Sequence, residues 1–381
     1  MELIQSINAR RIQWCCDDRG ISTEELAAKA GITRDSFQGM MSGKSGITFN
    51  QLRKVAEFLN RGMLFFLEPG GVTYDQVYTP QFRTLANQKP ELSAKLKALI
   101  EHVEKQRELY LSLREDLGEA ERPRFTSPKL PPQNLKRAAE IARQWLGLVE
   151  KNNFDIYRQA VEDKGVLVFR SSGYRGQWQI PEADSICGFT LYDAGCPVIV
   201  IKKAAESRQV FTLMHELGHV LLHRSSFIDE DDDLYSYQGK EQEANAFAGQ
   251  LLVPADFLKR INDNDRPSDV RDYDGWLYRY RKEWTVSGEV ILRRLKDSGR
   301  LQQVQYDTYR DWSRQRKIPE KEGGSRQYRY REPKHIFGGP FVRTVLDALH
   351  AKKISLAKAS TYLDNLKVAD VHRLEDFYAG L

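Results

Sequence analysis

The sequence of 381 residues predicts an α+β fold, mostly helical, on three observations. Short, capped, apolar-periodic segments crowd residues 1–68, and a long charged helix with a proline-rich stretch follows them. In the second half, a few β-branched runs lie beside two further helices, which is the pattern of a small sheet packed on helices.

The elements follow in order. Ser22 with Glu25 has the spacing of a capping box, opening a helix through Leu26, Ala27 and Ala30 that Gly31 ends. Thr33 caps the next helix, which runs through Ser36 and Phe37 towards Gly43. Thr48 starts another that buries Leu52, Val55, Ala56 and Leu59. The layout is a helix, a tight turn, a helix and a support. Between Pro90 and Glu121, the apolar residues Leu96, Leu99, Ile100, Val103 and Leu109 recur at helical spacing in one extended helix. The proline-rich segment Arg122 to Gln133 has no periodicity and reads as a linker.

Helices are expected over Leu135 to Leu146 and Phe154 to Lys164, then a strand over Val166 to Phe169. Ile186 to Tyr192 and Pro197 to Ile201, joined by the turn at Asp193-Ala-Gly195, read as a hairpin. Two helices follow, Ser207 to His223 and Lys240 to Leu252, the second stopped by Pro254. Helical signals return around Trp276, at Gly288 to Asp297 and from Pro340 onwards. The expected division is 1–68, a spacer and linker over 69–133, a domain over 134–300, and a basic, helical region over 301–381.

Composition narrows the function classes. With 41% hydrophobic and 29% charged residues, the chain has the balance of a soluble globular protein. Its longest apolar runs, such as Met63 to Leu67, fall far short of the roughly 20 residues that a membrane helix needs. Met-Glu-Leu-Ile-Gln at the N-terminus lacks the basic start and apolar stretch of a secretory signal, so a cytoplasmic protein is expected. Four cysteines, Cys15, Cys16, Cys187 and Cys196, are too few and too irregularly spaced for a disulfide framework. The net charge of +5 and the pI of 8.8 tolerate a nucleic-acid partner without requiring one.

The chemistry concentrates in His215-Glu216-Leu217-Gly218-His219. On a helix, two histidines four apart project from one face, the spacing that suits one zinc ion. Phe211, Leu213, Met214, Leu217, Val220 and Leu221 mark this helix as buried rather than as a solvated helix with incidental histidines. A catalytic zinc takes three protein ligands and leaves a position for water, and Glu216 is placed to act as base towards that water. The next helix offers a third ligand, Glu241 or Glu243. Glu241 shares a helical face with Asn245 and Ala248, and small Ala244 and Ala248 permit close approach to the histidine helix. His223 lies a further turn along and is assigned a supporting role. Manganese is an alternative metal.

These motifs resemble the ImmA/IrrE metallopeptidases. The resemblance runs through Phe211-Thr-Leu-Met-His-Glu-Leu-Gly-His-Val-Leu-Leu-His223, Glu241-Gln-Glu-Ala-Asn-Ala-Phe-Ala248, Leu251-Leu-Val-Pro254 and the strands Ile186 to Tyr192 and Pro197 to Ile201. It covers roughly residues 135 to 300. It implies a zincin-like peptidase domain with a small sheet, Glu241 as third ligand, and cleavage of a helix-turn-helix repressor in the bacterial cytoplasm, in a stress, phage or mobile-element response.

The N-terminal segments resemble the XRE/Cro-type helix-turn-helix through Leu26-Ala27, Gly31-Ile32-Thr33, Gly43 and Leu52 to Leu59. The resemblance implies a five-helix domain whose recognition helix begins near Thr33. Arg34, Ser36, Gln38 and Lys44 are then the candidates for contacts to double-stranded DNA, with a homodimer reading paired half-sites. The module is nearly neutral and carries Asp35 beside those residues, so docking of a protein is the competing use. The alternative for the whole chain is a DNA-binding regulator, or a toxin-antitoxin component, that uses the zincin fold as a sensor with little proteolysis. Asp229 to Asp233 reads as a solvated acidic loop between the two metal helices. The basic aromatic stretch Arg310 to Arg331 reads as an edge strand or solvated face.

Overall fold

The computed structural model describes residues 3–89, 92–119, 125–131, 133–172, 176–181, 184–236, 238–316 and 326–380. They form two compact units, Met1–Glu101 and His102–Leu381.

In the first unit, β1 (Leu3–Ile4) is followed by α1 (Ala9–Arg19), α2 (Thr23–Ala30), α3 (Arg34–Met41), β2 (Ile47–Thr48) and α4 (Phe49–Phe58). A 3-10 turn at Met63–Phe66 completes five helical segments. Local chemistry sets the boundaries. Ser22 Oγ accepts from the Glu25 N–H to start α2, and Gly31 ends it with φ of 66°, a left-handed conformation that glycine reaches without strain. Thr33 stands at the N-cap of α3 in an extended conformation but makes no side-chain capping bond. Thr48 and Gln51 form a reciprocal capping box on α4. The short β1 and β2 pair antiparallel. Ile12, Leu26, Phe37, Leu52, Val55 and Phe66 fill the core between these elements.

The unit continues through α5 (Tyr74–Val77) and α6 (Pro80–Gln88), and the helix α7 (Ala94–Asp116) crosses the division between the units. No described helix is long and apolar enough to cross a membrane.

The second unit is built on a four-stranded mixed sheet. The helices α8 (Leu135–Leu146) and α9 (Phe154–Glu162) precede β3 (Leu167–Arg170), β4 (Ile186–Leu191) and β5 (Val198–Ile201). Then come α10 (Glu206–Gly218), β6 (Phe227–Glu230) and α11 (Gly239–Leu252). The sheet order is β3-β5-β4-β6, with β3 parallel to β5 and the other pairs antiparallel. Every residue of β4 and β5 is buried, which explains the apolar run of β5 and the largely apolar composition of β4. Between Ile186 and Gly188 the β4–β6 register shifts by a residue, a bulge that pairs Gly188 with Asp229.

The rest of the unit is helical: α12 (Ala255–Lys259), α13 (Tyr273–Trp276), α14 (Tyr278–Trp284), α15 (Gly288–Asp297), α16 (Gln303–Arg314), α17 (Glu332–His350), α18 (Leu356–Tyr362) and α19 (Val368–Ala379). Arg158 and Glu162 form a buried ion pair at 2.9 Å, and the guanidinium also donates to the carbonyls of Lys334, His335 and Ile336, which ties α9 to the start of α17.

Two expectations are corrected. The stretch from Arg310 to Arg331 is no edge strand among its described residues. It finishes α16, whose Tyr306 and Tyr309 are buried three residues apart, and resumes as a 3-10 run at Arg326–Arg331; residues 317–325 lie outside the described set. Asp229 belongs to no solvated loop: it is the third residue of β6 and only 1% exposed. In the proline-rich segment, residues 122–124 and Pro132 fall outside the described set, while Phe125 is buried in the core of the second unit and its N–H donates to the Gly195 carbonyl.

Candidate metal centre

Helix α10 forms because Val210, Leu213, Met214 and Leu217 repeat at helical spacing against the sheet. Its last turn widens into a π-helical turn over His219–His223, closed by the bond from Arg224 N–H to the His219 carbonyl. Such turns concentrate at functional sites. Helix α11 packs closely on α10. A Cβ at Gly218 would meet Ala244 Cα and Phe247 Cδ1 at 3.3 Å, so Gly218 and Ala244 set the approach that their small size permits.

This approach brings His215 and His219 together with Glu241, and β6 adds Asp229. The two imidazole Nε2 atoms are 3.0 Å apart. Glu241 Oε2 lies 3.2 Å from His215 Nε2 and 3.3 Å from His219 Nε2. Asp229 Oδ2 lies 3.4 and 3.5 Å from the same atoms. Donor atoms about 2.0–2.1 Å from a tetrahedral centre are separated by about 3.3 Å, and the five measured edges cluster around that value. Asp229 Oδ2 and Glu241 Oε2 are buried and have no hydrogen-bond partner in the protein. Carboxylates in such a place are costly unless a positive charge faces them.

The surrounding groups set the imidazole tautomers. Asn245 Nδ2 donates to the carbonyls of Asp233 and Ser236, so its Oδ1 is left to accept from His215 Nδ1–H at 3.0 Å. That leaves the lone pair of His215 Nε2 facing the cluster. His219 Nδ1 and His223 Nδ1 are 2.9 Å apart, and His223 Nε2 is 3.0 Å from Glu243 Oε2. Glu243 therefore accepts from His223 Nε2–H, His223 Nδ1 accepts from His219 Nδ1–H, and His219 Nε2 also presents a lone pair. Glu243 and His223 stand behind the cluster and not in it.

Glu216 is fully buried beside the cluster, where Thr190 Oγ1–H donates to its Oε2 at 2.7 Å. Gly188 makes room for it: a Cβ there would press on Glu216 Oε1 and meet Thr212 Cγ2 at 2.9 Å. Burial pushes the Glu216 carboxyl well above the usual carboxylate range, Asp229 adds to the rise, and the Thr190 bond opposes it. For His215, burial alone would depress the imidazole, but the facing carboxylates of Asp229 and Glu241 outweigh it and raise it to about 9, so Nε2 holds a proton until a bound cation displaces it and takes the lone pair. Burial would raise Glu241, and the facing imidazoles of His215 and His219 instead hold it well below the ordinary range. The site is thus a pocket of negative potential that favours a bound cation.

In the first unit, Arg34, Gln38 and Lys44 are exposed and Ser36 is half-buried, all on or just after α3. Arg34 also makes a loose ion pair with Glu24 at 3.8 Å. Sequence reasoning missed Asp229. The signal available was Phe227-Ile228-Asp229, a short β-forming run opposite a strand with an internal glycine.

A buried His-Glu-x-x-His helix, facing a carboxylate-bearing helix beside a small sheet, defines a metallopeptidase-type domain. In agreement, residues 180–296 match the family model of the IrrE N-terminal-like domain, Peptidase_M78. Residues 11–62 match that of the Cro/C1-type HTH DNA-binding domain. The chain thus carries an N-terminal Cro/C1-type helix-turn-helix domain and a C-terminal IrrE N-terminal-like domain. A search of curated proteins returned no match.

Proposed function

We propose that this protein is a cytoplasmic, zinc-dependent endopeptidase with a DNA-binding module, which cleaves a helix-turn-helix repressor and so relieves repression in a stress, phage or mobile-element response. The observation that carries the reading is the convergence of His215, His219 and Glu241 at tetrahedral spacing with the Glu216 carboxyl beside them. His215 and His219 would hold the metal through Nε2 and Glu241 through Oε2. When bound, zinc supplies Lewis acidity and makes water a nucleophile near neutral pH.

The chain's own residues do the rest. Glu216 is the proton carrier: its carboxylate accepts a proton from the attacking water and passes it to the leaving amine nitrogen. Thr190 fixes the orientation of that carboxylate through Oε2, and Oε1, which accepts no hydrogen bond from the protein, is the atom left to take the proton. Asn245 and the His223–Glu243 pair keep both imidazoles in the ligating tautomer. On this reading Arg34, Ser36, Gln38 and Lys44 contact double-stranded DNA, zinc or manganese occupies the other site, and a homodimer is the DNA-reading form.

The test is Glu216→Gln in cells and in the purified protein. It should retain the metal and abolish both cleavage of the repressor and derepression. If derepression persists in Glu216→Gln but is lost in Arg34→Ala with Lys44→Ala, the protein is a DNA-binding regulator that uses its metal domain as a sensor. One observation favours that second reading: Asp229 supplies a fourth protein donor where a hydrolytic centre keeps a position open.

A further inference from the structure

Asp229 sits on an edge strand, since among the described residues β6 pairs only with β4, yet its carboxylate is 1% exposed. The bulge at Ile186 to Gly188 sets this placement by putting Asp229 opposite Gly188, the residue that also makes room for Glu216. Asp229 Oδ2 points at both imidazole Nε2 atoms, at distances that match those of Glu241, and has no hydrogen-bond donor from the protein. A carboxylate that merely supported an imidazole would meet its Nδ1 side, where Asn245 and His223 already stand.

We infer that Asp229 is a fourth protein ligand, so that the resting metal centre is closed and becomes hydrolytic only when Asp229 withdraws. This rests on the metallopeptidase reading above. Three protein ligands leave a position for water, whereas four make the closed shell of a structural zinc site. With Asp229 in place, the base Glu216 has no water to act on. The edge position makes withdrawal feasible, because displacing β6 breaks one ladder and leaves β3, β5 and β4 paired. An exposed acidic turn follows immediately, with Asp231 paired to Arg208 on α10, so a basic segment of a protein partner has a handle on the end of the strand. Activation then consists of a partner drawing β6 away, and the carboxylate is replaced by water with no change in the other three ligands.

The test uses the full chain loaded with Co2+, read by its visible absorption while acetohydroxamate, a small chelating anion, is added. Wild type should bind the cobalt and resist acetohydroxamate, and Asp229→Ala should respond at a concentration lower by roughly tenfold or more. Zinc affinity, measured by competition with a chromogenic chelator, should fall by roughly tenfold or more in the isosteric Asp229→Asn. If wild type and the variants take up acetohydroxamate alike and bind zinc equally well, Asp229 is no ligand and the inference falls, while the metal site stands. If wild type binds no cobalt, the metallopeptidase reading itself fails. Should Asp229→Ala not fold, the spectrum of wild type decides alone: a shift at low millimolar acetohydroxamate overturns the closed shell.

Discussion

Gly188→Ala isolates the base from the metal ligands. The added methyl group would press on Glu216 Oε1, meet Thr212 Cγ2 at 2.9 Å and the Val200 carbonyl oxygen at 3.1 Å. Two of the three cannot retreat easily: Thr212 is on a buried helix, and Val200 is in the middle of the sheet. Overpacking of this kind costs about 1–3 kcal/mol, which lowers the melting temperature by about 2–6 °C in a domain of this size. The yielding group is the Glu216 side chain, so its bond to Thr190 is stretched and its carboxylate leaves the reacting position. A displacement of about 1 Å lowers turnover by roughly a hundredfold. The donors on His215, His219 and Glu241 are untouched, so the metal content should stay at the wild-type level. Thermal melts, elemental analysis and repressor cleavage on one preparation measure all three. Wild-type stability with wild-type cleavage would refute the packing of Gly188 on Glu216, and loss of metal would refute the separation of base from ligands.

Three further outcomes are expected. Asn245→Ala removes the acceptor for His215 Nδ1–H, and zinc affinity in a chelator competition should fall by about 10–100-fold while the fold is retained. Arg158→Met leaves Glu162 buried without its partner and should cost about 3–5 kcal/mol in urea unfolding, whereas Arg158→Met with Glu162→Leu should recover most of that loss. Burial, with Lys105 nearby, pushes the His102 imidazole down from 6.5 to about 4. Since the unfolded chain binds this proton first, its contribution is intact above pH 6.5 and is lost as pH falls towards 4, so His102→Phe should flatten the fall in melting temperature across that window.

Much of the site was legible because its signals are local. The histidine pair, its base and the apolar stripe around them lie within one helix, and the small residues at Ala244 and Ala248 announced the close neighbour that carries Glu241. Helix caps at Ser22 and Thr48 were equally local. Asp229 escaped because its role depends on a bulge and a strand pairing, which are long-range properties. Its neighbours Asp231 and Asp232 are exposed, as an acidic loop should be, and they disguised the one aspartate that turns inward. Gly188 was the overlooked sign: a glycine within an apolar strand marks a close approach, here by the Glu216 carboxyl. The supporting roles of His223 and Glu243 also depend on the π-helical turn, which the even apolar spacing of α10 does not foretell.

The decisive measurement is the metal content of the purified full chain, by elemental analysis for wild type, Glu216→Gln, His219→Ala and Glu241→Ala. About one zinc per chain is expected in wild type and Glu216→Gln, and loss of zinc in the other two. A wild type that takes up no metal when zinc is supplied, or a His219→Ala protein that keeps it, would overturn the metal site.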